Sequence, residues 1–213
     1  RSRSLLSKRC HAALHIQVLK RVCVTVTDRR TQKMRKILVV IDMQNDFIDG
    51  VLGSPEAQAI VPKVAEKIEQ AKQDEDIVII STLDTHYVDY LETEEGKYLP
   101  IPHCIQDTLG WEINNDIRKA LSNRSYKCYK KSFGYPWPNE SFLVKGVTEI
   151  EIVGLDTDFC VLANALGLKA AFPNTPITID AACCAGSTPE WHEKALDMLE
   201  HCHFNVINRT KGE

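Results

Sequence analysis

The chain has 213 residues, 44% of them hydrophobic and 26% charged, which is the balance of one ordinary globular domain with a sizeable core. Its net charge of −3 hides an asymmetry: residues 1–33 contribute +8 and the other 180 residues −11, and an acidic body lacks the basic face that nucleic acid requires. No apolar run approaches the roughly 18 residues of a membrane span. The eight cysteines form no C-x-x-C pair, which fits the reduced thiols of a cytoplasmic protein.

Residues 1–33 are rich in Arg, Ser and Lys, and Asp28 is their one acid. They are expected to stand outside the fold, as a transit-like segment or as an extension upstream of Met34. The strand-like "LHIQVLKRVCVTVT" favours the extension, and a single domain is expected over 34–213.

From Lys36 onward two textures alternate. "KILVVID" (36–42) predicts the first strand, and "SPEAQAIVPKVAEKIEQAK" (54–72) a helix with Ile60, Val61, Val64, Ile68 and Ala71 on one face. "DIVIIST" (76–82) predicts the second strand, followed by a long irregular stretch over 83–110. "WEINNDIRKAL" (111–121) reads as a helix and "SYKCYK" (125–130) as a strand. "EIEIVG" (149–154) leads into "CVLANALGLKAAF" (160–172), apolar nearly all round and expected to be a buried helix beginning at Cys160. "PITID" (176–180), a capped helix in "STPEWHEKALDMLEHC" (187–202) and "FNVIN" (204–208) complete the alternation. The pattern predicts a three-layer α/β/α fold around a doubly wound, mostly parallel six-stranded sheet.

Ligands of such sheets bind beyond the carboxyl ends of the strands. Asp42 stands after the first strand, Asp84 and His86 after the second, and Lys130 and Lys131 after the third. Gly154, Asp156, Asp158 and Cys160 stand after the fourth. A cysteine opening a helix gains from the unpaired N–H groups there, which favour a thiolate and offer an oxyanion hole. A buried structural thiol is the commoner fate of a cysteine, and a nucleophilic role needs Asp42 as base. Gln44 is read as structural or pocket-lining, Asp46 as bonding the loop after the first strand, and Asp158 as a helix cap. Cys183 and Cys184 are read as core or rim thiols after the fifth strand.

Three segments carry a resemblance. "ILVVIDMQNDF", "YKKSFG" and "VGLDTDFCVLANA" resemble, in order and spacing over about 35–208, the motifs of the isochorismatase-like cysteine hydrolases, the superfamily that includes nicotinamidases. The resemblance implies a catalytic triad of Asp42, Lys130 and Cys160, with Lys130 chosen over Lys131 because Phe133 follows it by three. It also implies a cis peptide between Leu155 and Asp156, an oxyanion hole from the Asp156 and Cys160 N–H groups, and assembly into homo-oligomers. The implied activity is hydrolysis of a small-molecule amide. Nicotinamide going to nicotinate and ammonia is the first reading; another amide or ureido compound, or a non-catalytic binding role, is the alternative.

The loop "LDTHYVDYLETEEGKYLPIPHC" holds an Asp-x-His pair, Asp84 and His86, and a later His103 among many acids. Such a set suits a divalent metal, and a polar surface loop is its plain alternative. The resemblance favours the metal: zinc first, manganese or iron next, with Glu95 rather than Glu92 as the further ligand. Leu99 and Pro100 stand where those relatives carry an aromatic residue against the substrate ring. Phe47, Tyr135 and Trp137 are the candidates to replace it.

Overall fold

The computed structural model describes residues 35–123, 125–138 and 146–210; the basic segment 1–33 lies outside them. Six parallel strands form one sheet in the order β3-β2-β1-β4-β5-β6: β1 Arg35–Ile41, β2 Ile77–Asp84, β3 Ser125–Lys130, β4 Val147–Leu155, β5 Ile177–Ala185 and β6 Asn205–Ile207. The helices are α1 Asn45–Ile48, α2 Pro55–Ala71, α3 Glu94–Tyr98, α4 Asn115–Leu121, α5 Leu162–Ala171 and α6 Pro189–His201.

Both faces of the sheet are covered, which is why the central strands read as unbroken apolar runs. In β1, Ile37, Val39 and Ile41 pack with Val161, Ala165 and Leu168 and with Leu196 and Leu199, beneath α5 and α6. Leu38 and Val40 point the other way, into a second core with Ile60, Val64 and Ile68 of α2 and Ile117 of α4. Ser54 and Thr188 cap α2 and α6 by accepting the N–H of Ala57 and Trp191, each followed by proline in the first turn. Among the described residues no helix is long and apolar enough to cross a membrane.

The strand order reverses direction at β1, so β1 and β4 flank the crevice where such sheets bind ligands. β4 is tucked tightly against β1 at Gly154. Its φ is +121°, and a Cβ there would lie 2.1 Å from the Ile41 carbonyl oxygen, so only glycine fits.

Several expected boundaries shift. α4 starts at Asn115 because Asn114 caps it, accepting the Asp116 N–H at 3.0 Å, while Ile113 bridges to Gln44. β5 runs on to Ala185, so Cys183 and Cys184 lie within the strand rather than after it. The stretch 83–110 contains a 3-10 turn at Tyr90–Glu92 and the short helix α3. Cys160 does not open an α-helix: Thr157–Val161 form a π-helical turn, and α5 follows it. Nor is α5 buried all round, since Leu166 is 44% exposed.

Candidate active site

Asp42, Lys130 and Cys160 come from three different strand ends and meet. Lys130 is the last residue of β3 and only 2% exposed. Its ammonium lies 2.8 Å from Asp42 Oδ2, 3.1 Å from Asp84 Oδ1 and 3.4 Å from Cys160 Sγ, and it donates to the Ser132 carbonyl at 3.1 Å. Burial works against its charge, but attraction to Asp42, Cys160 and Asp84 outweighs that and holds its pKa well above the ordinary lysine value. Lys131, by contrast, is exposed, with its ammonium over the Tyr87 ring.

Asp42 is wholly buried just beyond β1, with φ at +45°. Thr82 Oγ1 donates to its Oδ1 at 2.7 Å and accepts its backbone N–H at 3.2 Å. Burial raises its pKa and nearby Asp84 adds to that, while Lys130 opposes both. The Cys160 thiol is pushed well above its usual pKa, first by burial, with Lys130 opposing. The expected thiolate is therefore not the resting form: the turn is too deeply buried, and too close to carboxylates, for a helix terminus to ionise it.

The loop residues also converge. One ligand atom from each of Asp84, His86, Glu95 and His103 lies within 4.8 Å of the other three. His86 Nε2 is 2.9 Å from Asp84 Oδ2, His103 Nε2 is 3.5 Å from the same oxygen, and both nitrogens stand 3.7 Å from Glu95 Oε1. Glu92 is exposed and outside this group. His103 Nδ1 lies 2.9 Å from the Ile101 carbonyl, which only accepts; Nδ1 therefore carries a proton, and Nε2 is the nitrogen turned to the carboxylates, where it donates to Asp84 or, once deprotonated, is free to bind a metal ion. Two imidazoles and two carboxylates with this tautomer fit a divalent ion of the zinc type. Burial opposes ionisation of Asp84, yet its bonds to His103 and His86, together with Lys130, hold its carboxyl well below the usual range.

Four further residues organise this site: Gln44 in the structural role that the sequence offered for it, and Tyr90, Asn164 and Thr157, which carried little signal in the sequence. Gln44, wholly buried, clamps the Asp84 backbone: its Nε2 donates to the Asp84 carbonyl at 2.9 Å and its Oε1 accepts the Asp84 N–H at 2.7 Å. Tyr90 packs edge-on against His86 and His103, with centroids at 4.8 and 5.0 Å, and donates its hydroxyl to the Leu99 carbonyl. Asn164 donates to the Cys160 and Phe133 carbonyls at 2.7 and 3.0 Å, tying the turn that carries Cys160 to the segment after β3. Thr157 Oγ1 lies 2.8 Å from His192 Nδ1, joining that turn to α6.

Other expectations change. Tyr135 and Trp137 do not line the cavity; they pack on the core, and the Tyr135 N–H and Trp137 Nε1 donate to Asn164 Oδ1. Phe47 does line it, edge-on to His103 at 5.6 Å. Asp46 accepts the Cys104 N–H at 2.7 Å, so it braces the His103 loop rather than its own. Asp158 caps no helix; it accepts the Ser187 N–H and hydroxyl. The Leu155–Asp156 peptide is cis. Burial, then Asp158 and Asp42, push the Asp156 carboxyl up to about 7.

A family model for the isochorismatase domain matches residues 36–211. The chain belongs to the isochorismatase family. This isochorismatase-family chain is 24% identical to a nicotinamidase of Saccharomyces cerevisiae, over 82% of the chain and 100% of that relative. It is 31% identical to an Arabidopsis thaliana protein named a probable inactive nicotinamidase, over 76% of the chain and 86% of that protein. Among solved structures, a pyrazinamidase of Pyrococcus horikoshii in complex with zinc superposes with a TM-score of 0.68 at 26% identity, covering 82% of this chain and 99% of that one.

Proposed function

We propose that the protein is an amidohydrolase of the nicotinamidase type, converting nicotinamide to nicotinate and ammonia through a thioester on Cys160. The observation that carries this reading is the contact of Lys130 with Asp42, Asp84 and Cys160, because it joins a buried base to a nucleophile and a metal-fitting set that line one cavity. The nicotinamidase and zinc-bound pyrazinamidase relatives support it.

The resting thiol is neutral, so the reaction needs a base. Asp42, with its raised pKa and fixed by Thr82 and Lys130, takes the Cys160 proton. Sγ then bonds to the carboxamide carbon. The backbone N–H groups of Asp156 and Cys160 receive the oxyanion, and Lys130 balances the charge on the sulfur and Asp42. Collapse breaks the C–N bond, and the proton held by Asp42 passes to the nitrogen, which leaves as ammonia. Asp42 next takes a proton from water. The hydroxide attacks the thioester, the C–S bond breaks, and the returned proton restores the thiol. A divalent ion held by Asp84, His86, Glu95 and His103, with zinc first in order, would offer a Lewis-acid position to a ring nitrogen.

Ammonia release measured across nicotinamide, pyrazinamide, benzamide and a ureido compound tests the reading. Turnover is expected on the first two. Turnover only on the ureido compound moves the assignment to another cysteine hydrolase. No turnover on any of them, by metal-loaded protein, moves it to a non-catalytic binding role. A cytoplasmic setting belongs to the same proposal and is supported by the six described cysteines, all free. Homo-oligomers, implied by the family resemblance, belong to it too.

A further inference from the structure

The active-site cavity is far larger than its chemistry requires. It spans about 880 Å³ and is open to solvent on one side, the size class that holds a drug-sized ligand rather than a single-ring amide. Its lining includes the reacting Cys160 and the metal-fitting Asp84, His86, Glu95 and His103, with Thr93, Ser132, Asp156 and Ser187 as further polar groups. Leu52, Tyr98, Leu99, Phe133 and Phe159 supply an apolar remainder.

That apolar part begins at the reacting groups themselves. Phe159 immediately precedes Cys160, and Phe133 follows Lys130 by three residues. Their rings form a tilted pair with centroids 5.2 Å apart. Phe133 is 40% exposed, Phe159 44% and Tyr98 85%, so each keeps apolar surface that no other described part of the chain covers. Besides the metal-fitting set, the ionisable lining residues are Lys131, Glu94 and Asp156, which form no cluster of cations for an anionic occupant. Leu99 and Leu52 add apolar bulk beside the rings of Phe133, Phe159 and Tyr98, so the wall offers apolar contact over more surface than one small ring covers.

We propose that the site selects carboxamides whose acyl side carries a neutral, apolar extension seated against Phe133, Phe159, Leu52 and Tyr98, in preference to unsubstituted nicotinamide. This rests on the cysteine-hydrolase reading and narrows its substrate class. The extension belongs on the acyl side because that half stays bound to Cys160 through both formation and hydrolysis of the thioester, so contacts made there serve both steps.

The test compares nicotinamide with nicotinamides bearing a butyl or phenyl group at ring carbon 5, and with an N-butyl amide. Two quantities are read: kcat/KM in metal-loaded wild type, and Kd by calorimetry on Cys160→Ala protein. Burying one methylene is worth roughly a fourfold gain, so the ring-extended amides are expected to exceed nicotinamide at least tenfold in both. Phe133→Ala/Phe159→Ala should cut that ratio to below threefold. A ratio at or below one, a ratio the double variant leaves intact, or a preference for the N-butyl amide overturns the proposal. If wild type hydrolyses none of these amides, the hydrolase reading fails, and the Kd ratio still decides whether the apolar wall holds the extension.

Discussion

Lys130 replaces solvent for two buried carboxylates and a thiol, so removing its charge has consequences beyond the chemistry. Lys130→Ala leaves Asp42 and Asp84 buried without their counter-charge, and losing one partner of such a pair costs about 3–5 kcal/mol. Denaturant unfolding should show that loss together with abolished turnover. Lys131→Ala, at an exposed position, should stay within about 0.5 kcal/mol of wild type. Equal losses in the two variants would contradict the assignment. Asp42 gives a second prediction. Its pKa is raised by burial, and it must be ionised to take the thiol proton, so kcat/KM falls as pH falls, with the acid limb above the ordinary aspartate range. Asp42→Asn should lower the rate roughly 10²–10⁴-fold and remove that limb. At this scale the three motifs pointed to Asp42, Lys130 and Cys160, and the structure brings these three side chains into contact. The partners of Gln44, Thr82 and Asn164 were hidden, because a buried side chain's partners come from remote strands. Gln44 and Asp84 are forty positions apart, and only the pairing of β1 with β2 brings them together.

The short elements of the loop after β2 set the metal-fitting group. Thr93 caps α3 by accepting the Gly96 N–H, which fixes Glu95 in the first turn and directs it to the two histidines, while Glu92 ends the preceding 3-10 turn facing solvent. Glu95→Ala should therefore lose more bound zinc than Glu92→Ala, and His103→Ala should lose most of it. Metal content after dialysis, read by atomic spectroscopy, checks the order; greater loss from Glu92→Ala would contradict it. Chelation should stop nicotinamide hydrolysis, and zinc or manganese should restore it. Periodicity could not show α3, which is too short to carry a repeat. The π-helical turn at Cys160 was equally hidden, since "DFCVLANA" has the same apolar spacing whether the helix starts tight or wide. The helix α4 was visible, but its start was read too early because Trp111 and Ile113 are apolar for reasons of loop packing, not helix packing.

For the whole molecule, unbroken runs such as "ILVV" and "IVII" were enough to predict a sheet covered on both faces. Strand order was not legible, because it depends on which way each crossover turns, and the residues of a crossover helix do not record that. Strand β1 is hydrogen-bonded on both edges, to β2 and β4, so nothing further can pair beside it. We propose that residues 1–33 pair at neither sheet edge, β3 or β6, and stand outside the domain, so that deleting them should leave melting temperature and turnover unchanged. A large drop in melting temperature would show that they complete the fold. The switch point between β1 and β4 brings Asp42 and Cys160 to one crevice from opposite halves of the chain, and the central claim is that Cys160 forms a bond to the substrate there. Rapid-quench mass spectrometry of metal-loaded wild type with nicotinamide tests this most directly. The account predicts a nicotinoyl adduct on the peptide carrying Cys160, formed and lost at rates compatible with turnover. Hydrolysis that proceeds with no adduct on Cys160 would contradict it.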